Sequence, residues 1–597
     1  MKSCNLNRKE IKFSKQEKRL VQNEIQTFLE KEIISKVNEK ELCQDSIVSN
    51  IFLRPKSDGS FRMILNLSKF NKTIDKQHFQ METLEKALRL VKPGCFFTKV
   101  DLKDAYYSIP IDEGSKKLFR FRFNGELFQF NVLAQGYRDS PRIFTKLVKA
   151  PLSYLRSLGN ILAAYLDDLL LLGYNLQDCM NNIKQTVELF TALGFTVNTE
   201  KSIFIPTNII EFLGFLIDSI TMTVKPTVHK SDAIKKSILE FLKKETFTIR
   251  NLSEIIGKLI ALRPGNKFTL LYVKNLEIYR NKQLKFHKGN YEKSISLNQA
   301  SKQDLIWWTQ NIDNHPKPIS PPKFNVCLQT DASKLIGWGA HFLNNRTGGL
   351  WSKKEKEYHI NILELLAVKL ALKSLCKNVY NEYILIKTDN STVVACINKM
   401  GSSKFQLNKL TREIWDFTIS HHNFIAATFI PGKINLIPDK ESRNKRYVET
   451  EWNLNSQTFD IINKAFGPFN VDLFASRLNY KVKHYVSWRQ DPGAKFCNAF
   501  LIPNWNEFYA YCFPPFNLIN RVIQKVLQDQ CTICLILPRW TSQQYWPVIQ
   551  KLLIRPILVL DWRKDLLTNP ILKHQNHPLI IKKKLTLIAC VISGKNI

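Results

Sequence analysis

Two adjacent aspartates, Asp167 and Asp168, sit inside the otherwise apolar run Ala164-Tyr-Leu-Asp-Asp-Leu-Leu-Leu-Leu-Gly173. Burying unpaired carboxylates is costly, so a strand of this composition does not carry two without compensation. A polar surface turn is one compensation. A divalent cation is the other, because Mg2+ takes carboxylate oxygens and neutralises them. Close apolar flanks, as in a hairpin packed on a core, weigh against a simple surface turn. A third carboxylate, Asp101, lies upstream in Phe97-Thr-Lys-Val-Asp-Leu-Lys-Asp-Ala-Tyr-Tyr-Ser-Ile-Pro-Ile111. That stretch predicts a strand running out at Asp101, a turn and a second short strand. Three such acids suit two-metal phosphoryl transfer, in which one carboxylate bridges both ions and others fix each.

A second set of acids follows. Asp331 ends a strand from Val326, Glu364 sits in the apolar-faced helix around Ile362–Leu372, Asp389 ends a strand from Tyr383, and Asp439 lies in Pro431–Arg443. Each alone is most often a helix cap or a solvated strand end. Upstream, Asn50–Asn66 predicts a hairpin around an Asp58-Gly59 turn. Its Lys56 and Arg62, beside a metal site, suit a triphosphate, although exposed charges on a hairpin are commonly only solvated.

In order and separation these motifs resemble the reverse transcriptases. Tyr165-Leu-Asp-Asp168 is similar to that family's metal-binding hairpin and Val100–Ile111 to its first palm motif. The resemblance implies that Asp101, Asp167 and Asp168 hold two Mg2+ ions, with Mn2+ as a substitute. It implies that Lys56 and Arg62 grip the incoming deoxynucleoside triphosphate. An acidic residue and an arginine often follow in the family, where Asn66 and Ser68 stand here. Tyr106 would exclude a 2′-hydroxyl sterically, with Tyr107 as the competing tyrosine. Gln135 and Gly136 resemble the second palm motif, where a missing side chain lets the backbone approach the nucleotide. Lys201 would protonate pyrophosphate, and Phe212-Leu213-Gly214 would shape the primer grip.

Asp331, Glu364, Asp389 and Asp439 together resemble ribonuclease H, which implies two further Mg2+ ions that activate water to cleave RNA in an RNA–DNA hybrid. Phe429 stands where that family often shows histidine. A reverse transcriptase joined directly to ribonuclease H resembles retrotransposon polyproteins. Gly467–Asn479 and Tyr511–Asn517 look most like the DIRS-type, tyrosine-recombinase elements. The implied partners are an RNA template, a DNA primer, the hybrid and the nucleotides, with no membrane.

The chain as a whole must position these sites. Its 597 residues predict several domains, and 44% hydrophobic with 11% aromatic content marks a globular chain. A formal charge of +35 favours a polyanionic partner. Twelve scattered cysteines suggest reduced thiols and an intracellular protein, and Cys531 and Cys534 read as core residues of a strand. No signal peptide and no apolar run long enough to span a membrane is visible.

The expected architecture is α/β and α+β multidomain: fingers and palm over 1–225, thumb and connecting helices over 226–320, a ribonuclease H-like mixed sheet with helices over 321–448, and a small α/β domain over 449–597. A helix is expected from Ser14 to about Lys36, and a proline-rich joint at His315–Pro322. In the last domain Pro514-Pro515-Phe516 resembles a degenerate adenine-N6 methyltransferase motif. Phe513 replaces the Asp or Asn that would accept hydrogen bonds from the target amine. A structural or nucleic-acid-holding role is therefore expected there. Two rivals remain. A domesticated, inactive nucleic-acid-binding protein would let the carboxylates decay, yet all seven are present. A maturase-like or telomerase-like polymerase would leave the four later acids unexplained.

Overall fold

The computed structural model describes residues 11, 13–43, 45–55, 61–444, 452–569 and 576–595. The chain divides into two compact units. The first comprises Met1–Phe241, Ala261–Lys267 and Thr309–Pro321; the second comprises Leu242–Ile260, Phe268–Trp308 and Pro322–Ile597. The segment 226–320, expected to hold the thumb and connecting helices, contributes to both units. The expected boundary at 448/449 lies outside the described residues.

In the first unit, helix Lys15–Glu30 opens on a capping box in which Ser14 and Glu17 satisfy each other's backbone N–H groups, and it buries Val21, Ile25 and Phe28. It ends six residues before the expected Lys36, because Glu32 turns to φ 54° and Ile34–Val37 becomes a strand paired with Leu127–Phe130. Strands Ile51–Pro55 and Phe61–Leu65 form the expected hairpin. Its turn, Lys56 included, lies outside the described residues.

Strand Phe96–Lys103 organises the central sheet. It pairs antiparallel with Asp168–Gly173, which in turn pairs with Ile161–Tyr165. Successive side chains along a strand face opposite ways. Leu169 and Leu171 therefore join Val100, Leu102, Phe144 and Phe190 in one core, while Leu170 and Leu172 join Phe97, Phe212 and Ile217 in another. A sheet covered on both faces explains the unbroken leucine run. Contrary to expectation, the strand continues past Asp101 to Lys103. A 3-10 turn, Ala105–Ser108, follows, and the expected second strand is only a bridge between Pro110 and Val132.

The second unit contains helices Ile249–Ile260 and Thr269–Phe286 and two five-stranded sheets. One sheet has the spatial order Asn345–Leu350, Gly337–Phe342, Val326–Ala332, Tyr383–Thr388, Phe424–Phe429, the last three parallel. Helix Ile360–Leu375 packs on it with ten buried residues, which requires the apolar face its sequence shows. The other sheet runs Val471–Asp472, Ala510–Cys512, Thr532–Pro538, Leu587–Ser593, Leu558–Val559, its first three strands parallel. Cys531 and Cys534 are buried in its core. Within this unit Arg477 donates to both carboxylate oxygens of Glu355 (3.0 and 2.9 Å). Among the described residues, no helix is long and apolar enough to cross a membrane.

Candidate active sites

Tyr165 pairs with Asp168, so Leu166 and Asp167 form a two-residue turn, with Leu166 at φ 56°. Across the next ladder Asp101 stands opposite Asp168. The Leu102 N–H donates to the Asp167 carbonyl at 3.0 Å. Asp101 and Asp168 are consequently a non-hydrogen-bonded pair, the kind whose side chains approach most closely. Lys99, two residues before Asp101 and on the same face, holds Asp168 Oδ1 at 3.0 Å. The Asp101 backbone is fixed by Ser202 Oγ, which accepts its N–H (3.0 Å), and by the Asn198 N–H, which donates to its carbonyl (2.8 Å).

Electrostatics follow from this crowding. Burial, then Asp168, raises the Asp101 carboxyl above its usual range, against Lys201 and Lys99. Burial also raises Asp167; Asp168 and Asp101 add to it and Arg62 opposes. Burial, then Asp167, pushes the Tyr106 hydroxyl up to about 12. Tyr106 packs edge-on to Phe144, whereas Tyr107 packs against Phe28 in a different core. Arg62 is exposed on its strand directly opposite Arg54, and Lys201 is exposed near Asp101.

Gln135 uses its carbonyl to accept the Leu65 N–H at 3.2 Å. A Cβ on Gly136, at φ 107°, would lie 2.1 Å from the Leu65 carbonyl oxygen. Glycine at that position is thus required by the chain's own packing. Phe212 is buried beneath the sheet, and Leu213 and Gly214 make a tight turn at φ 51° and 75°.

The second constellation is tighter. Among the described residues, one trio of acids, Asp331, Glu364 and Asp389, brings ligand oxygens within 4.8 Å of one another. Glu364 is 5% exposed, and its Oε2 is buried without a hydrogen-bond partner. Burial, then Asp331 and Asp389, pushes its carboxyl up to about 9. Asp331 accepts from Ser442 Oγ at 2.6 Å. Gly339 lets helix Leu436–Ser442 sit against its strand, since a Cβ there would meet the Pro438 carbonyl at 2.1 Å. Asp439 stands apart from the trio: Arg443, one helical turn on, binds its Oδ1 at 2.7 Å. Its charge still reaches Asp331. An all-carboxylate donor set with an unpartnered buried oxygen fits a hard divalent cation. Phe429 is exposed at the end of its strand.

Sequence reasoning missed the residues that hold the first site in place. Glu82 accepts the Ala164 N–H at 2.8 Å and pairs with Arg156, whose guanidinium also donates to the Leu162 carbonyl. The strand entering the aspartate turn is clamped in this way. Lys99 was legible in principle, because i and i+2 share a face in any strand.

Comparison with known proteins finds a family match over the region that holds the first site. The family described as reverse transcriptase (RNA-dependent DNA polymerase) matches residues 54–217, which include Asp101, Asp167 and Asp168. The chain is 25% identical over 402 residues to a putative enzymatic polyprotein of Cassava vein mosaic virus, covering 64% of this chain and 58% of that one. It is 23% identical over 462 residues to the enzymatic polyprotein of Figwort mosaic virus, covering 73% and 63%. It is also 23% identical to the transposon Tf2-3 polyprotein of Schizosaccharomyces pombe, covering 65% and 28%. The chain spans about three fifths of the length of the two viral polyproteins. A foamy viral protease-reverse transcriptase in complex with dsDNA aligns at 17% identity and TM-score 0.46, covering 72% of this chain and 86% of that one. The match over 54–217, with the aspartate hairpin inside it, identifies a reverse transcriptase domain of the kind carried by retroelement polyproteins.

Proposed function

We propose that the chain is an RNA-directed DNA polymerase that copies retrotransposon RNA and also cleaves the RNA strand of the resulting hybrid. The observation that carries the polymerase reading is the cross-strand pairing of Asp101 with Asp168, with Asp167 at the adjoining turn. Asp101 and Asp167 present the oxygens that would hold Mg2+; Asp168, anchored by Lys99, supports them. When bound, the ions neutralise the triphosphate and lower the cost of forming the 3′-oxyanion. Arg62, already within electrostatic reach of Asp167, would grip the triphosphate with Lys56. Tyr106 would close the sugar pocket, Lys201 would meet the leaving pyrophosphate, and the Phe212–Gly214 turn would seat the primer.

For hybrid cleavage, the Asp331–Glu364–Asp389 trio would hold one Mg2+ ion, and Asp439, released from Arg443, would complete the second position. The unpartnered Glu364 oxygen supports this reading. The sheet order and the helix bearing Glu364 support a ribonuclease H-like domain. A DIRS-type element is the proposed source, on Gly467–Asn479 and Tyr511–Asn517. RNA-templated primer extension with Mg2+, run beside Asp101→Asn, tests the polymerase: extension by the parent and none by the variant supports it, and no extension by the parent refutes it.

A further inference from the structure

The C-terminal sheet carries a cavity that neither carboxylate site uses. In an open sheet, ligands bind beyond the carboxyl ends of adjacent parallel strands. Val471–Asp472 and Ala510–Cys512 are such neighbours, and the segments that follow them, Leu473–Ser476 and Phe513–Leu518, line one cavity of about 900 Å³. Its walls include Phe474, Phe500, Phe513 and Phe516, with Asn517 and Arg521 among the polar groups. The Arg521 guanidinium lies 4.0 Å from the centre of the Phe500 ring. Among the described residues, neither an aspartate nor a glutamate lines the cavity.

Each feature narrows the occupant. Ring faces accept a flat, polarisable group, and an amide reads donors and acceptors on its edge. With Arg521 the one guanidinium and no acid among the described lining residues, the cavity admits one phosphate beside that group. The size suits a nucleotide. A chain carrying +35 draws in a polymer of nucleotides, and aromatic platforms beside a cation are how single strands are held. A base inside a duplex is stacked on its neighbours and cannot enter. We propose that this cavity receives one unstacked base of a single-stranded nucleic acid, with its phosphate against Arg521. Phe513 offers no acceptor for a base amine, so the role is binding, with no covalent step.

The test is photochemical. The full chain, in EDTA, is irradiated with single-stranded DNA bearing one 5-iodouracil, and adducts are mapped by mass spectrometry; free 5-iodo-2′-deoxyuridine runs in parallel. Asn517 and Arg521 are both exposed, so Asn517→Ala and Arg521→Gln preserve the fold and leave the aromatic acceptors in place. Adducts on the cavity rings from the oligonucleotide, falling about tenfold in the two variants while primer extension is unchanged, support the proposal. Adducts found only outside residues 452–577, or undiminished in both variants, overturn it. Labelling of the cavity by the free nucleoside and not by the strand overturns the strand as occupant. A parent chain that forms the cavity adducts but extends no primer would count against the polymerase reading alone.

Discussion

Asp101 and Asp168 face each other as a non-hydrogen-bonded cross-strand pair, and Lys99 ties one of them down at 3.0 Å. Like charges directly opposed in a sheet destabilise it. The lysine is therefore the chain's own partial answer to the repulsion that metal ions would relieve. Burial and Asp168 raise the Asp101 pKa, and Lys201, a hydrogen bond with Asn198 and then Lys99 oppose them. Lys99→Gln should raise that pKa, so Asp101 would protonate at a higher pH and the acid limb of the primer-extension profile would move upward. An unmoved acid limb would show that Lys99 is only a packing residue.

Glu364 gives a linkage that can be measured without turnover. Its carboxyl, pushed up to about 9, is protonated at neutral pH, and a cation binds the deprotonated form. Mg2+ uptake at pH 7.5 should release about one proton, seen as a dependence of the calorimetric heat on the buffer's ionisation enthalpy. Apparent affinity should rise about tenfold per pH unit until pH nears the Glu364 pKa. Glu364→Gln should release none. Equal proton release from the variant would place the titrating group elsewhere.

Two glycines separate steric clash from backbone strain. Gly125 (φ 79°) has open space where a Cβ would go, whereas at Gly136 it would meet the Leu65 carbonyl. Gly125→Ala should cost about 1–2 kcal/mol, the left-handed backbone penalty alone. Gly136→Ala should cost more and raise the KM for nucleotide by displacing the strand that bears Arg62. Matched thermal shifts and unchanged KM in both variants would show that Gly136 is not a contact point.

The Arg477–Glu355 pair tests what joins the two sheets of the second unit. Although burial pushes the Glu355 carboxyl up, Arg477 and hydrogen bonds from Ser352 outweigh it and hold the pKa below 4.5. A depressed folded pKa stabilises fully above the unfolded value and loses that contribution as pH falls through the folded one. Arg477→Met should destabilise this unit by about 3 kcal/mol at neutral pH, and the gap from the parent should shrink below pH 4.5. A gap that does not vary with pH would assign the loss to packing.

Local chemistry made part of this molecule readable. Asp167 and Asp168 stood out because an apolar run does not tolerate two free carboxylates, and the hairpin flanking them follows. The position of Asp101 is legible but its setting is not: the strand runs two residues further because Leu102 and Lys103 pair with Val197 and Thr196, a partner strand distant in sequence. Leu587–Ser593 is buried at every position, so it lacks the alternation that marks a half-buried strand. Asp439 lies outside the trio and pairs with Arg443, four residues on, a contact that sequence order does not reveal. The division of 226–320 between two units arises from packing across long separations, beyond the reach of local propensity.

The most direct test follows primer and template together on an RNA template with Mg2+, each strand carrying its own label. The parent should extend the primer and then shorten the template. Asp167→Asn should do neither on this substrate, yet should still cut a preformed hybrid; Asp389→Asn should extend the primer and leave the template whole. Failure of the parent to extend, or loss of both activities in Asp389→Asn, would contradict two separate carboxylate sites.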